Sequence, residues 1–475
     1  MPNLPTMATS EHSALRTLHS ALIQPLNPLD LALCCVDRTI RRMGYPGFET
    51  QLLVWLSGRA DIARLRRAIA NLGRLHPEIT SRLHERVAEE LGEAFWEFRL
   101  GAEPHLSEID LDSADPAHVL ASAARLLSTP QDPAVFDPLR FYLLHRPGGG
   151  DVFLMQYSHV LMDNSASSLV VREIDRLSQL DADDAEPRRP QRRLLRHYVR
   201  RFSHAQRQSG ARGAVELHGR VLRGRAAILG KGEEDGSLIF GPVEATSGRR
   251  NVQLRIAVRT IDPEATRAIH RETVKLCGLP SLSMAVLASV FRVIRELGPA
   301  ERNAQRNYVA GIGLDLNLRA AGHPLFQNLL SIVPISARPD ELASRDELVR
   351  LLSRQLRSRL EAKIDLGIVR LATGFEGRVR HMRWVLEHIL RYSYSLWYAY
   401  FGALDSIGPT FCGAKVENAQ YIGPAWSPMG IGLLVNQFAG RLNFQLTYDP
   451  YLVNNSLAND FVDAVVTDLP HSAAK

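Results

Sequence analysis

The run Phe153-Leu-Met-Gln-Tyr-Ser-His159-Val-Leu-Met-Asp163-Asn164 constrains this chain more than any other segment. Its first half reads as a buried strand, and that strand ends in a histidine with an aspartate four residues on. Such an order holds one imidazole at the mouth of a cavity while the carboxylate secures the turn behind it. A neutral imidazole there can take the proton from an alcohol or amine attacking a thioester, so acyl transfer is the leading expectation. The plainer alternative is a histidine satisfied at a strand end.

Around this segment the pattern alternates between strand and helix. Leu29-Asp-Leu-Ala-Leu-Cys-Cys-Val36 reads as a short strand, and Gln51–Leu56 as a stronger one. From Asp61 to Leu75 the apolar residues Ile62, Leu65, Ile69 and Leu72 share one helical face, and His76-Pro77 ends the helix. Glu93–Leu100 and Leu139–His145 are further strands, Pro116–Leu127 and Ser165–Leu180 further helices. A first unit thus closes near residue 180. Residues 181–250, with charge runs and Gly210, Gly213, Gly232 and Gly236, read as a partly helical connector. A second unit follows over 251–475. Its expected strands are Val252–Val258, Tyr308–Leu318 and a hairpin of Gly432–Phe438 with Arg441–Tyr448 around Ala439-Gly440. Its expected helices are Pro263–Lys275, Ser283–Leu297, Asp346–Leu360 and His381–Ile389. Two α/β lobes joined by a long connector imply a cleft or tunnel between them, a common place for a ligand.

Composition narrows the function classes. At 475 residues the chain can bury two cores, or one large core with insertions. No apolar segment is long and charge-free enough to span a bilayer, and the polar Met1–Ala14 segment lacks the pattern of a signal peptide, so a cytoplasmic location is expected. Cys34, Cys35, Cys277 and Cys412 have no zinc-site spacing and are expected as free thiols, with no metal. There is no Gly-x-Ser-x-Gly elbow, P-loop, dinucleotide fingerprint or HExxH. Because neighbours on a strand point to opposite faces, a covalent Ser158–His159 dyad is disfavoured. A direct transfer without an acyl-enzyme is expected.

Taken in order, these motifs resemble the chloramphenicol-acetyltransferase-like superfamily of nonribosomal peptide condensation domains, wax ester synthases and polyketide-associated acyltransferases. Its His-His-x-x-x-Asp-Gly motif is matched by Ser158-His159-Val-Leu-Met-Asp163-Asn164. Gly73-Arg-Leu-His76-Pro77 resembles the family's Arg-His-Pro segment, and Pro138-Leu-Arg-Phe-Tyr-Leu-Leu the strand before the active-site strand. Gly313-Leu-Asp-Leu-Asn-Leu-Arg319 and Phe326-Gln-Asn328 resemble a pair of second-lobe segments, and Ser406-Ile-Gly-Pro409 the Asn-x-x-Gly-Pro turn of wax ester synthases. The resemblance spans residues 29 to 455 and implies two chloramphenicol-acetyltransferase-like lobes with the site between them.

It also implies roles. His159 is the expected catalytic base. Asp163 is expected to point away from the imidazole into a structural salt bridge, with Arg319 as the expected partner. Ser158, Asn164 and nearby backbone amides are candidate oxyanion donors. Asn328 is expected chiefly to brace a second-lobe strand, and Asn436 and Gln437 are candidate substrate contacts. Two departures stand out: Ser158 replaces a histidine, and Asn164 replaces a glycine whose backbone freedom asparagine partly shares. They motivate the rival reading of a degenerate protein that binds an acyl ligand or carrier protein without turning it over.

Expected partners follow from the same resemblance. The donor is a phosphopantetheine thioester, on an acyl or peptidyl carrier protein or on coenzyme A, with no permanently bound cofactor. The acceptor is a small hydroxyl or amine compound, and the protein is expected to be a monomer. The net charge of +6 is concentrated between Arg188 and Arg225, where Arg188, Arg189, Arg192, Arg193, Arg196, Arg200 and Arg201 recur at helix-compatible spacing, interleaved with apolar residues. That stretch suits carrier-protein or coenzyme A phosphates, or an anionic membrane surface as in a peripheral wax ester or glyceride synthase; without a nucleic-acid motif, no nucleic acid is expected.

Overall fold

The computed structural model describes residues 23–87, 92–99, 101–180, 202–226, 252–278, 282–298, 307–316, 325–374, 386, 394–426 and 429–470. In the first lobe β1 (Ile23–Pro25) leads into α1 (Pro28–Arg42), followed by β2 (Glu49–Leu56), α2 (Ile62–Leu75), β3 (Arg82–Val87), β4 (Gly92–Glu97), β5 (Leu106–Asp110), α3 (Pro116–Ser128), β6 (Leu139–His145), β7 (Asp151–Ser158) and α4 (Asn164–Ser178). Helix α5 (His204–Ala226) lies in the connector. The C-terminal part of the chain comprises β8 (Arg255–Ile261), α6 (Pro263–Cys277), α7 (Ser283–Leu297), β9 (Tyr308–Asp315), β10 (Leu330–Ala337), α8 (Arg345–Glu361), α9 (Ile364–Gly374), β11 (Trp397–Ala403), β12 (Thr410–Phe411), β13 (Ala414–Ile422), β14 (Ile431–Phe438), β15 (Arg441–Tyr448) and α10 (Asn455–Asp468).

Helix α1 corrects the expected strand over Leu29–Val36. Asn27 caps it, its side chain accepting from the amides of Leu29 (2.8 Å) and Asp30 (3.0 Å), while Pro28 sits at the first turn and Asp30 reaches back to the Asn27 amide. Its residues are buried on several faces at once, Leu31 and Cys35 as well as Leu33, Val36 and Ile40. Leu29, Leu31 and Leu33 alternate in a strand's period, and the arginines that mark the helix's polar side, Arg38, Arg41 and Arg42, lie beyond that stretch. The strand expected over Val252–Val258 begins three residues later, at Arg255. Most of the helix expected over His381–Ile389 lies outside the described residues.

A six-stranded sheet in the order β12-β13-β2-β7-β6-β5 forms the first lobe, and a four-stranded sheet β11-β14-β15-β8 the second. Strand β13 is the crossing element. It comes from the C-terminal part of the chain yet pairs antiparallel with β2, Tyr421 opposite Leu52. The β14–β15 hairpin turns at Ala439 (φ 48°) and Gly440 (φ 76°), the two left-handed positions of a tight primed turn. One apolar core fills each lobe. A third joins Ile40, Phe48 and Leu154 to Val309, Tyr394 and Trp426, so the lobes share buried surface.

Within the connector, Gly210 and Gly213 have a packing role. They lie on α5 where it crosses α9; a side chain at Gly210 would run into the backbone of Lys363, and one at Gly213 into Ile364. The arginine-rich stretch Arg188–Arg201 lies outside the described residues.

Candidate active site

Strand β7 delivers His159 to the lobe interface because its ladder with β2 runs to its end, Ser158 opposite Glu49. The His159 amide then donates to the Phe48 carbonyl (2.8 Å). That contact sets the Phe48 ring flat against the imidazole, centroids 4.6 Å apart and planes 11° from parallel. Phe48 is braced edge-on by Trp397 (5.4 Å) and Trp426 (5.9 Å), and its amide donates to Asp37 (2.7 Å). The preceding Gly47 has φ 126°, and a β-carbon there would meet the Arg41 guanidinium, so no larger residue fits.

His159 is only 7% exposed, and this burial holds its pKa below the usual imidazole value. Its Nδ1 lies 3.2 Å from Asn328 Oδ1. The Asn328 amide is oriented by its other contacts: Nδ2 donates to Asp30 Oδ1 (2.8 Å), to the His159 carbonyl (2.9 Å) and to the Val160 carbonyl (3.2 Å). All three are acceptors, so Oδ1 is the atom facing the ring, and it can only accept. Nδ1 therefore carries the proton, and Nε2 keeps its lone pair. In this tautomer Nε2 is a base at neutral pH.

Asp163 serves the loop. Its Oδ1 accepts from the Ala166 amide (2.9 Å) as the N-cap of α4, and its Oδ2 accepts from the Leu329 amide (2.8 Å) in the second lobe. Its expected partner Arg319 lies outside the described residues. Asn328 does more than brace a strand, since it links His159 to Asp30. That aspartate did not emerge from the sequence as a site residue. It is buried on α1, accepts from both the amide (2.9 Å) and the side chain of Asn328, and has its carboxyl pushed up to about 7, chiefly by burial. A readable signal existed in the capping box Asn27-Pro28-Leu29-Asp30, but its target lies 298 residues away.

Both departures from the motif are accommodated. Ser158 is fully buried and its hydroxyl turns back to the Val160 amide (3.4 Å), away from the cavity lining. Asn164 is the first residue of α4 and needs no left-handed backbone. Its Oδ1 accepts from Tyr157 (2.6 Å) and its carbonyl from Tyr421 (2.6 Å), which leaves the Nδ2 group as a donor at the cavity wall.

A cavity of about 160 Å³ lies between the lobes. His159, Thr50, Asn164 and Ser165 line it from the first lobe, Leu314, Ile332, Trp397 and Tyr400 from the second. Asn436 and Gln437, the candidate substrate contacts, are not part of this lining. Asn436 donates to the Ala419 carbonyl (2.9 Å) and thereby ties β14 to the crossing strand β13. Gln437 donates to the Tyr400 hydroxyl (3.0 Å) and so stands behind a lining residue.

Neither a family model nor a curated protein matches this sequence. Solved structures do match the fold. A trichothecene 15-O-acetyltransferase from Fusarium sporotrichioides superposes with a TM-score of 0.69 at 9% identity, covering 95% of each chain. The first condensation domain of the calcium-dependent antibiotic synthetase, bound to a substrate analogue, gives 0.68 at 15% identity over 95% of this chain and 96% of that one. The starter condensation domain of rhizomide synthetase, as a double mutant in complex with C8-CoA and Leu-SNAC, gives 0.63 at 11% identity over 97% and 95%. The chain thus has the two-lobed condensation-domain, chloramphenicol-acetyltransferase-like fold.

Among the described residues, no helix is long and apolar enough to cross a membrane and no cluster of side chains suits a metal ion. All four cysteines are free thiols.

Proposed function

We propose that this protein is an acyltransferase that moves an acyl group from a phosphopantetheine thioester, carried on a carrier protein or on coenzyme A, to a hydroxyl or amine acceptor. The observation that carries this reading is a buried, neutral His159 whose Nδ1 proton is held by its own backbone carbonyl and Asn328 and which lines a cavity walled by both lobes. Support also comes from the fold, which is shared with an O-acetyltransferase and with a domain bound to C8-CoA and Leu-SNAC.

In this mechanism Nε2 takes the proton as the acceptor oxygen or nitrogen attacks the thioester carbonyl. The oxyanion forms beside the Asn164 Nδ2 donor. Collapse breaks the carbon–sulfur bond, and the imidazolium returns its proton to the departing thiolate. The products are an ester or amide and a free thiol, and His159 is neutral again. A base in position contributes a factor of ~10²–10⁴. Because burial lowers the imidazole pKa, the base stays in its active form through neutral pH.

Intact-mass analysis of reactions containing acyl-carrier protein or acyl-coenzyme A donors, with pooled alcohol and amine acceptors, tests the proposal. Wild type should transfer the acyl group from at least one donor, and His159→Ala should lose nearly all of that transfer. Transfer undiminished in His159→Ala would remove the base from the mechanism; no transfer from either donor would favour the ligand-binding alternative.

A further inference from the structure

The base of the proposed reaction is one end of a buried line of three polar side chains drawn from three distant parts of the chain. Asp30 Oδ1 receives the Asn328 side-chain amide, and Asn328 Oδ1 receives His159 Nδ1. All three residues are buried, with Asn328 fully so. An asparagine side chain is pseudo-symmetric: rotated by half a turn, it would present NH₂ to the imidazole and demand the opposite tautomer. Three contacts oppose that rotation. Two are backbone carbonyls of His159 and Val160 that belong to the loop being oriented. The third is the Asp30 carboxyl, anchored independently on α1 by the Asn27 capping box and held a second time by the Asn328 amide.

We propose that Asp30 is a positioning residue for His159, acting through Asn328 to hold the proton on Nδ1 and the lone pair on Nε2. This rests on the acyltransferase reading of the site, but the tautomer itself is a property of the resting protein. A carboxyl suits the task whether ionised or protonated, because Oδ1 accepts in either form. Alanine offers no acceptor, and a serine at position 30 is too short to replace the carboxyl's reach. Asparagine at 30 keeps an oxygen for Asn328 and should act as the conservative rescue.

The test compares wild type with Asp30→Ala, Asp30→Ser and Asp30→Asn. Imidazole nitrogen shifts are read by NMR on protein labelled with ¹⁵N-histidine, the His159 signals being assigned by their loss in His159→Gln. Wild type and Asp30→Asn should show the Nδ1–H tautomer. Asp30→Ala and Asp30→Ser should show a mixture or the Nε2–H form, with kcat lowered by roughly ten- to a hundredfold and KM nearly unchanged, a loss bounded by the contribution of the base itself. A wild-type tautomer and kcat in folded Asp30→Ala would overturn the assignment. So would failure of both Ala and Ser variants to fold, which would make Asp30 a folding residue. Absence of acyl transfer by wild type would instead strike the function proposed for the site and leave the NMR result standing.

Discussion

Replacing Asp163 by asparagine separates two readings of the His-x-x-x-Asp spacing. In one, the aspartate polarises the imidazole; in the other, it holds the loop and the lobes together. The structure gives each carboxylate oxygen a different backbone donor, Ala166 on α4 and Leu329 across the interface. Asparagine has one oxygen and must turn its NH₂ toward the second donor. The helix cap is local and is the bond more easily kept, so the Leu329 bond is the one lost. A hydrogen bond to a charged group contributes ~1.5–3 kcal/mol, and leaving a buried amide unpaired costs ~1–3 kcal/mol. These overlap, so Asp163→Asn should lose about 2–4 kcal/mol of stability.

Urea unfolding at neutral pH measures that loss, and kcat/KM against pH supplies the control. The Asp163 charge favours the imidazolium. Its removal should therefore move the acid limb slightly downward and leave most of kcat in the folded fraction. A polarising aspartate predicts the reverse, wild-type stability with kcat down by ~10⁴, as loss of the correct tautomer does in serine proteases. Finding that pattern would refute the structural role assigned to Asp163.

Three further outcomes follow from the site. Asn164→Ala, which removes the Nδ2 donor at the cavity wall, should lower kcat by ~10²–10³ with little change in KM, measured by steady-state thiol release. Asp30 has its carboxyl raised from 3.8 to about 7, so the folded state binds the extra proton between those values and stability falls as pH rises through that window. Asp30→Asn should therefore gain on wild type between pH 4 and 8 in denaturant titrations, by at most about 4 kcal/mol, and a pH-independent difference would contradict the burial argument. Gly313, at the exposed rim of the cavity, has open space where a β-carbon would stand. Gly313→Val should keep or raise Tm while lowering kcat/KM for long acyl donors more than for acetyl, and equal losses would place the acyl chain elsewhere.

The sequence carried the active-site strand and its loop because several signals coincide there. A buried run ends at His159, Asp163 is a good helix cap, and an amphipathic helix follows at once. Helix α1 was harder: Cys34, Cys35 and Val36 look like a strand core, and only the Asn27-Pro28-Asp30 cap betrays the helix. The crossing of β13 could not be read at all. Its residues have strand character, but nothing local says that Ala414–Ile422 joins a sheet built from the first lobe. The same non-local pairing explains Asn436, whose buried amide serves that crossing instead of a ligand. Ser158 and Asn164 looked like losses because the missing histidine and glycine could be seen. The tyrosines that anchor Asn164, at 157 and 421, are recognisable only once β7 and β13 are placed on either side of β2 in the six-stranded sheet.

Asn328 and Leu329 show why the His159 imidazole and the lobe interface are one structural problem. Their successive backbone amides donate to two different buried carboxylates of the first lobe, Asp30 and Asp163. Two carboxyls this close repel each other, and the Asp163 charge contributes to the raised Asp30 pKa. Without the second lobe, both acids would lose these donors, and His159 would lose one of two acceptors for its Nδ1 proton, the other being its own backbone carbonyl. The closed interface thus adds the Asn328 acceptor to the His159 backbone carbonyl in favouring the tautomer with its lone pair on Nε2. The His159 tautomer is then coupled to interface assembly through two peptide groups and one side chain. On this view, substitutions at the lobe contact should alter the His159 tautomer even where they never touch the cavity.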